Sequence, residues 1–267
     1  MKVLLVHPSA LLYSEVYLRL EPLGMECVAS AVERAGHTVR LLDLQVFKPR
    51  DFAREIAAFK PEAIGFSVNY LANVPEVIDL AKLAKAKLPE CFIFCGGHSI
   101  SFITEEVLRH GDGAIDAIVQ GEGEITVPAM LDQAPNVDGL PGVATLSGPG
   151  PRAHMMADIN ANRPARHLTR KRRKYFIGEL DPCASIEFSR GCPWDCSFCS
   201  AWTFYGRSYR QADPAVCAEE MKTIREPNVF IVDDVAFIHP DHGMAIADEI
   251  ERRNIRKRYY LETRCDV

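Results

Sequence analysis

Three cysteines stand close together in Arg190-Gly191-Cys192-Pro193-Trp194-Asp195-Cys196-Ser197-Phe198-Cys199, with an arginine–glycine pair ahead of them and an aromatic residue before the last. Thiolates are strong ligands for zinc and iron, so three in one short loop can converge on a metal site. A structural zinc site closes with four ligands, and the nearest further cysteines, Cys183 and Cys217, fall outside a pair-and-pair spacing. A four-iron cluster held by only three cysteines keeps one iron open. An amine and a carboxylate of a small molecule can chelate that iron and receive an electron from the cluster. Cys192, Cys196 and Cys199 are therefore the candidate metal ligands.

The elements that must position this loop can be read from the flanking pattern. Residues 184–189 read as a strand that feeds the loop. Beyond it, residues 215–225 read as a helix, 229–233 as a strand, 241–253 as a helix and 259–264 as a strand, the alternation of a βα barrel. Reactive groups of such barrels collect at the carboxyl ends of the strands, which singles out Asp233, Asp234, Glu262 and Arg264. They could contact a bound cofactor or form ion pairs at the barrel end, and both readings stay open. Only 68 residues follow Cys199 in a chain of 267. Eight βα units take about 250, roughly 30 each. The expectation is an incomplete barrel, either a fragment or one completed by another chain.

Ahead of the loop, short apolar runs at residues 2–6, 38–42, 63–68, 91–95 and 116–119 read as strands. Helical periods fill the intervals: Met25, Val28, Ala29 and Val32 before Gly36, then Val77, Leu80, Ala81, Ala84 and Leu88 before Pro89. The pattern predicts an α/β domain with a doubly wound parallel sheet, which binds ligands at the carboxyl ends of its strands. Small and polar residues crowd those ends: His7, Ser67, Asn69, Gly96, Gly97, His98 and the run Gly121-Glu122-Gly123-Glu124. Glycine there either terminates a strand or lets a broad, flat ligand approach the backbone. No Gly-x-Gly-x-x-Gly follows the first strand, so a dinucleotide is disfavoured.

The boundaries expected are residues 1–135 for the first domain, 136–182 for a linker with at most a short hairpin, and 183–267 for the barrel part. The linker carries Arg163, Arg166, Arg170, Lys171, Arg172, Arg173 and Lys174, which read as a solvated face or as a site for anionic lipid or phosphate. The whole chain is mildly acidic, with a net charge of −5, and has no global signature of nucleic-acid binding. No apolar run approaches the ~20 residues of a membrane span or a signal-peptide core. A cytoplasmic enzyme with reduced thiols is the expectation.

The strand-end set Ser67, Gly96-Gly97 and Gly121-Glu122-Gly123-Glu124, with Pro22-Leu23-Gly24, resembles the cobalamin-binding domain that precedes radical S-adenosylmethionine barrels. The Cys-x-x-x-Cys-x-Phe-Cys loop resembles the signature of that superfamily. Together they resemble the cobalamin-dependent radical S-adenosylmethionine methylases. Within that family, residues 17–24 and 196–210 look most like the members that methylate hopanoid lipids at C-3. The resemblance implies a [4Fe-4S] cluster on Cys192, Cys196 and Cys199, and S-adenosylmethionine cleaved to a 5′-deoxyadenosyl radical. With those cofactors, the strand-end residues Asp233, Glu262 and Arg264 are the candidate contacts to S-adenosylmethionine, and Ser67, Asn69, Gly96, Gly97, Gly121, Glu122 and Gly123 the candidate contacts to cobalamin. It also implies methyl transfer to an unactivated carbon, an electron donor such as flavodoxin or ferredoxin, and contact with the inner face of the membrane. Many cobalamin domains carry Asp-x-His-x-x-Gly, which is absent here. The cobalamin is thus expected base-off with no histidine from that motif on cobalt. An oxidative cyclase of a porphyrin-like substrate, or a non-catalytic cofactor-binding module, shares the same domains.

Overall fold

A computed structural model describes residues 1–11 and 15–266. The chain divides into two compact units. One holds the first strand, Gly24–Met156 and Pro164–Arg170; the other holds Ala157–Arg163 with the described residues of 13–23 and 171–267.

In the first unit the apolar runs become parallel strands β1 (Lys2–His7), β3 (Thr38–Asp43), β4 (Ala63–Ser67), β5 (Phe92–Gly96) and β6 (Ala117–Val119), while the short β2 (Leu18–Arg19) belongs to the second unit. The sheet order is β3-β1-β4-β5-β6, extended by β7 (Val143–Thr145) and β8 (Gly148–Pro149). Successive residues of a strand point to opposite faces. Leu4, Val6, Ile64, Phe66 and Ile93 pack on one side with Phe52 and Ile56 of helix α2 (Pro49–Phe59) and Val77 and Leu80 of α3 (Val74–Lys87). Val3, Leu5, Phe92, Phe94 and Val119 pack on the other with Ala29 and Val32 of α1 (Leu23–Arg34) and Val127, Met130 and Leu131 of α5 (Gly123–Gln133). Helix α4 (Thr104–Gly111) adds Val107 and Leu108 to the first face. Both faces are covered, as a parallel sheet requires.

The linker expected from residue 136 holds the short hairpin that the sequence allowed, at residues 143–149, and that hairpin pairs antiparallel with β6, Val119 opposite Val143, so that it extends the sheet edge of the first unit. Two- and three-residue strands carry too little alternation to show in the sequence.

The second unit is built on a parallel sheet of β10 (Cys183–Ile186), β13 (Asn228–Ile231) and β14 (Arg258–Leu261), with Ile186 opposite Ile231 and Ile231 opposite Leu261. Helices α7 (Pro214–Thr223) and α8 (Pro240–Arg252) make the crossovers, burying Cys217, Met221 and Ile246 against Ile186, Phe188, Val229 and Ile231. This is the βαβαβ start of a barrel. β2 pairs with β9 (Phe176–Ile177) in the same unit.

Candidate functional site

The cysteine loop leaves the carboxyl end of β10 and is closed at its neck by an antiparallel pair, β11 (Ser189–Arg190) with β12 (Arg210–Gln211). Gly191 starts the loop at φ +91, a conformation that side-chain-bearing residues avoid. A Cβ there would stand 2.3 Å from the carbonyl oxygen of Ser208, so glycine is required by space as well. Its amide donates to Asp234 Oδ2 at 3.0 Å. The next carboxylate, Asp233, is buried and accepts from the Phe188 amide at 2.8 Å and the Ser189 hydroxyl at 2.5 Å. Burial pushes its pKa up to about 7. Neighbouring aspartates at the end of β13 thus brace the strand end and the first residue of the loop.

Within the loop the thiols run from buried (Cys192) through half-buried (Cys196) to exposed (Cys199), and they act on one another electrostatically. Burial raises the Cys192 thiol above its ordinary pKa, opposed by a hydrogen bond from the Trp194 backbone. Arg264 Nη1 lies 3.6 Å from Cys196 Sγ, and the Ala201 amide 3.5 Å from Cys199 Sγ. Each sulfur therefore faces an N–H donor, the arrangement that stabilises thiolate ligands of an iron–sulfur cluster. Among the described residues no three His, Cys, Asp or Glu side chains gather closely enough to hold a single metal ion. The donor set fits a cluster that takes one thiolate per iron. Trp194 packs beside Cys192, Ala201 and Val235, and Trp202 Nε1 donates to the Cys196 carbonyl at 3.2 Å, anchoring helix α6 (Ala201–Tyr205) behind the loop. Phe198, which occupies the aromatic position of the signature, is 90% exposed.

Of the other residues singled out in this unit, Arg264 stacks on Trp194 at 4.5 Å and is clasped by Asp266 at 2.8 and 2.6 Å. Glu262 is exposed beyond β14, its carbonyl accepting from the Ala236 amide at 3.0 Å. Trp194 and Asp266 were not singled out in the sequence; an arginine three positions beyond a strand and two before an acid is their only trace.

In the first unit, three adjacent strand ends converge. Gly97 has φ +121, and a Cβ there would lie 2.8 Å from Asn69 Oδ1 and 2.9 Å from the Val68 carbonyl oxygen. Asn69 Oδ1 accepts from the His98 amide at 3.2 Å, and the Ser99 hydroxyl donates to the Asn69 carbonyl at 2.6 Å. Ser101, absent from the sequence-derived set, ties the ends together: its hydroxyl donates to the Gly97 carbonyl at 2.8 Å and accepts from the Gly121 amide at 3.3 Å. Ser67 ends β4 beside Gly96 of β5. Glu122 is buried and accepts from the Met156 amide at 2.7 Å, and Gly123 starts α5 where a Cβ would meet Val28 at 2.9 Å. Glycine backbone and small polar side chains at the carboxyl edge of the sheet, after β4, β5 and β6, fit a broad ligand such as a corrin.

His7, the last residue of β1, has a buried Nδ1 with no hydrogen-bond partner among the described residues, and burial lowers its pKa against the opposing pull of Asp43 and Glu76. Four of the seven cations in the basic run are ion-paired with carboxylates distant in sequence. Arg166 approaches the fully buried Glu26, which also accepts from the Thr169 hydroxyl. Arg170 pairs with Glu55 at 3.4 Å and lies over Phe47. Arg163 pairs with Glu220 at 2.9 Å. Arg172 bridges Glu226, at 3.0 Å, and the buried Glu21, which also accepts from the Ser185 amide at 2.9 Å. Carboxylates more than 50 positions away consume these charges, so neither a fully solvated face nor a free basic patch describes them.

Residues 10–131 match the family model of the B12 binding domain, and residues 186–265 match that of the radical SAM superfamily. All of the chain aligns at 58% identity over 270 residues with 52% of the hopanoid C-3 methylase of Methylococcus capsulatus (strain ATCC 33009 / NCIMB 11132 / Bath). It is 29% identical over 252 residues, 86% of the chain and 46% of the relative, to the anaerobic magnesium-protoporphyrin IX monomethyl ester cyclase of Synechocystis sp. (strain ATCC 27184 / PCC 6803 / Kazusa). The fold matches that of the cobalamin-dependent S-adenosylmethionine radical enzyme OxsB, solved with aqua-cobalamin and S-adenosylmethionine bound, with a TM-score of 0.74 at 18% identity over 97% of this chain and 38% of that one. The chain spans about half the length of these curated relatives.

Proposed function

Because the chain belongs to the cobalamin-binding radical S-adenosylmethionine enzymes, we propose that it serves a C-methyltransferase acting on an unactivated carbon of a hopanoid lipid, at C-3. The observation that carries this reading is the 58% identity to a hopanoid C-3 methylase, sustained along the whole chain where a cyclase reaches 29%. When bound, the cluster, S-adenosylmethionine and cobalamin supply a hydrogen-abstracting radical and a transferable methyl group.

The chain's own residues hold and orient these groups. Cys192, Cys196 and Cys199 hold the cluster, with Gly191 and Asp234 fixing where the loop starts. Asp233 keeps the end of β10 in register with the end of β13. Glu262 and Arg264 stand beyond the third strand for S-adenosylmethionine. Ser67, Asn69, Gly96, Gly97, Gly121, Glu122 and Gly123 form the cobalamin floor.

A redox protein of the flavodoxin or ferredoxin kind delivers electrons. The protein works in the cytoplasm and reaches its lipid at the membrane's inner face; no described helix is long and apolar enough to cross a membrane. The exposed Arg173 and Lys174 present positive charge to anionic lipid. The test is expression of the gene in a hopanoid-producing host that lacks C-3 methylation, followed by mass spectrometry of its lipids. A methylated hopanoid that disappears with Cys199→Ala is the expected result. Unchanged hopanoids with an altered porphyrin pool would make the protein a cyclase instead, and no change in either would leave a cofactor-binding module.

A further inference from the structure

We propose that Arg264 is a positioning residue that raises the reduction potential of the cluster by donating a charged hydrogen bond to Cys196 Sγ. This rests on the reading that the cysteine loop holds an iron–sulfur cluster. Three donors face the three sulfurs, and two of them are backbone amides, Trp194 of the loop and Ala201 at the start of the helix that follows it. Arg264 is different: it is a charged side chain that hydrogen-bonds a loop sulfur at 3.6 Å, and it reaches there from 68 positions away.

Its guanidinium is held in place rather than waving at the surface. One face lies over the Trp194 indole at 4.5 Å, and Trp194 is itself packed beside Cys192. Asp266 fixes the other side through two bonds, Nε to Oδ1 at 2.8 Å and Nη2 to Oδ2 at 2.6 Å. An arginine stacked and forked in this way loses little freedom on pointing a further N–H at a sulfur.

The direction of the effect follows from charge. Reduction adds an electron to the cluster, and hydrogen bonds and positive charge at its sulfurs favour that state. Arg264 therefore shifts the potential upward, while the Asp266 carboxylate beside it offsets part of the field. The guanidinium is one-third exposed and Asp266 more so, which screens the through-space component and leaves the directed bond to sulfur as the larger share.

The experiment is an anaerobic redox titration of the reconstituted chain without S-adenosylmethionine, followed by the paramagnetic signal of the reduced cluster, with iron quantified in each sample. Wild-type protein that takes up no cluster would sink the cluster reading itself, before any variant is compared. Given a wild-type cluster, Arg264→Gln should keep its iron and shift the midpoint to more negative potential, and Asp266→Asn should shift it to more positive potential. If Arg264→Gln does not hold iron, Asp266→Asn decides alone: an upward shift supports the proposal and an unchanged midpoint overturns it. A full iron content with an unmoved midpoint in Arg264→Gln also overturns it. Weaker S-adenosylmethionine binding with that unmoved midpoint would leave Arg264 a contact to the cofactor alone, with no part in setting the potential.

Discussion

Asp233 offers a quantitative test of how the barrel end is built. Its carboxyl is buried, accepts from the Phe188 amide and the Ser189 hydroxyl, and has its pKa pushed up to about 7 from an ordinary 3.8, with burial as the largest cause. In the unfolded chain the group loses its proton near pH 4, whereas in the folded chain it keeps it to about pH 7. Between those values the folded state binds one more proton, so stability from this group falls as pH rises through the window and is flat above it. About three pK units at roughly 1.4 kcal/mol each correspond to a loss of about 4 kcal/mol. Asp233→Asn cannot ionise and keeps only one acceptor oxygen, so it carries a constant penalty without the slope. Urea denaturation of both proteins at about pH 5, 6, 7 and 8 measures the difference. The thiols and other carboxylates are common to the two chains and largely cancel in it. Because about two of those three units lie above pH 5, wild type should lose about 3 kcal/mol relative to the variant between the lowest and highest pH. Parallel curves would refute the account and mean that Asp233 stays ionised in its buried site.

Three further outcomes follow from the geometry. Gly191→Ala forces a side chain into φ +91 and a Cβ to 2.3 Å from the Ser208 carbonyl oxygen; the strain alone is about 1–3 kcal/mol, and reconstituted protein should hold clearly less iron than wild type. Gly97→Val adds branched carbon where even Cβ lies 2.8 Å from Asn69 Oδ1, so cobalamin retained after gel filtration should fall while the far-ultraviolet spectrum stays native. Arg172→Ala removes the guanidinium paired with the buried Glu21, and urea unfolding should show a loss of about 3–5 kcal/mol, as for a broken buried pair.

What the sequence revealed and what it hid divide by range. The Lys2–His7 run, the Val77-Leu80-Ala81-Ala84 stripe ahead of Pro89, and the cysteine spacing at the end of a strand are local, since each shows its period or its stop signal within a dozen positions. The hairpin at 143–149 and the β2–β9 pair are too short to show a period, and their stability comes from partners elsewhere. The basic run shows the limit most clearly. Seen alone, seven cations within twelve positions look like a surface for anions. Yet Glu21, Glu26, Glu55, Glu220 and Glu226, which take up four of them, are scattered over more than two hundred positions. A charge run reports where cations lie along the chain, and only the fold decides whether they meet solvent or carboxylates. The same holds for Arg264 and Asp233, which sequence reasoning could place at strand ends but could not assign to a sulfur or to a pair of backbone and hydroxyl donors. Their partners lie across the sheet, and pairing across parallel strands joins residues that no local pattern relates.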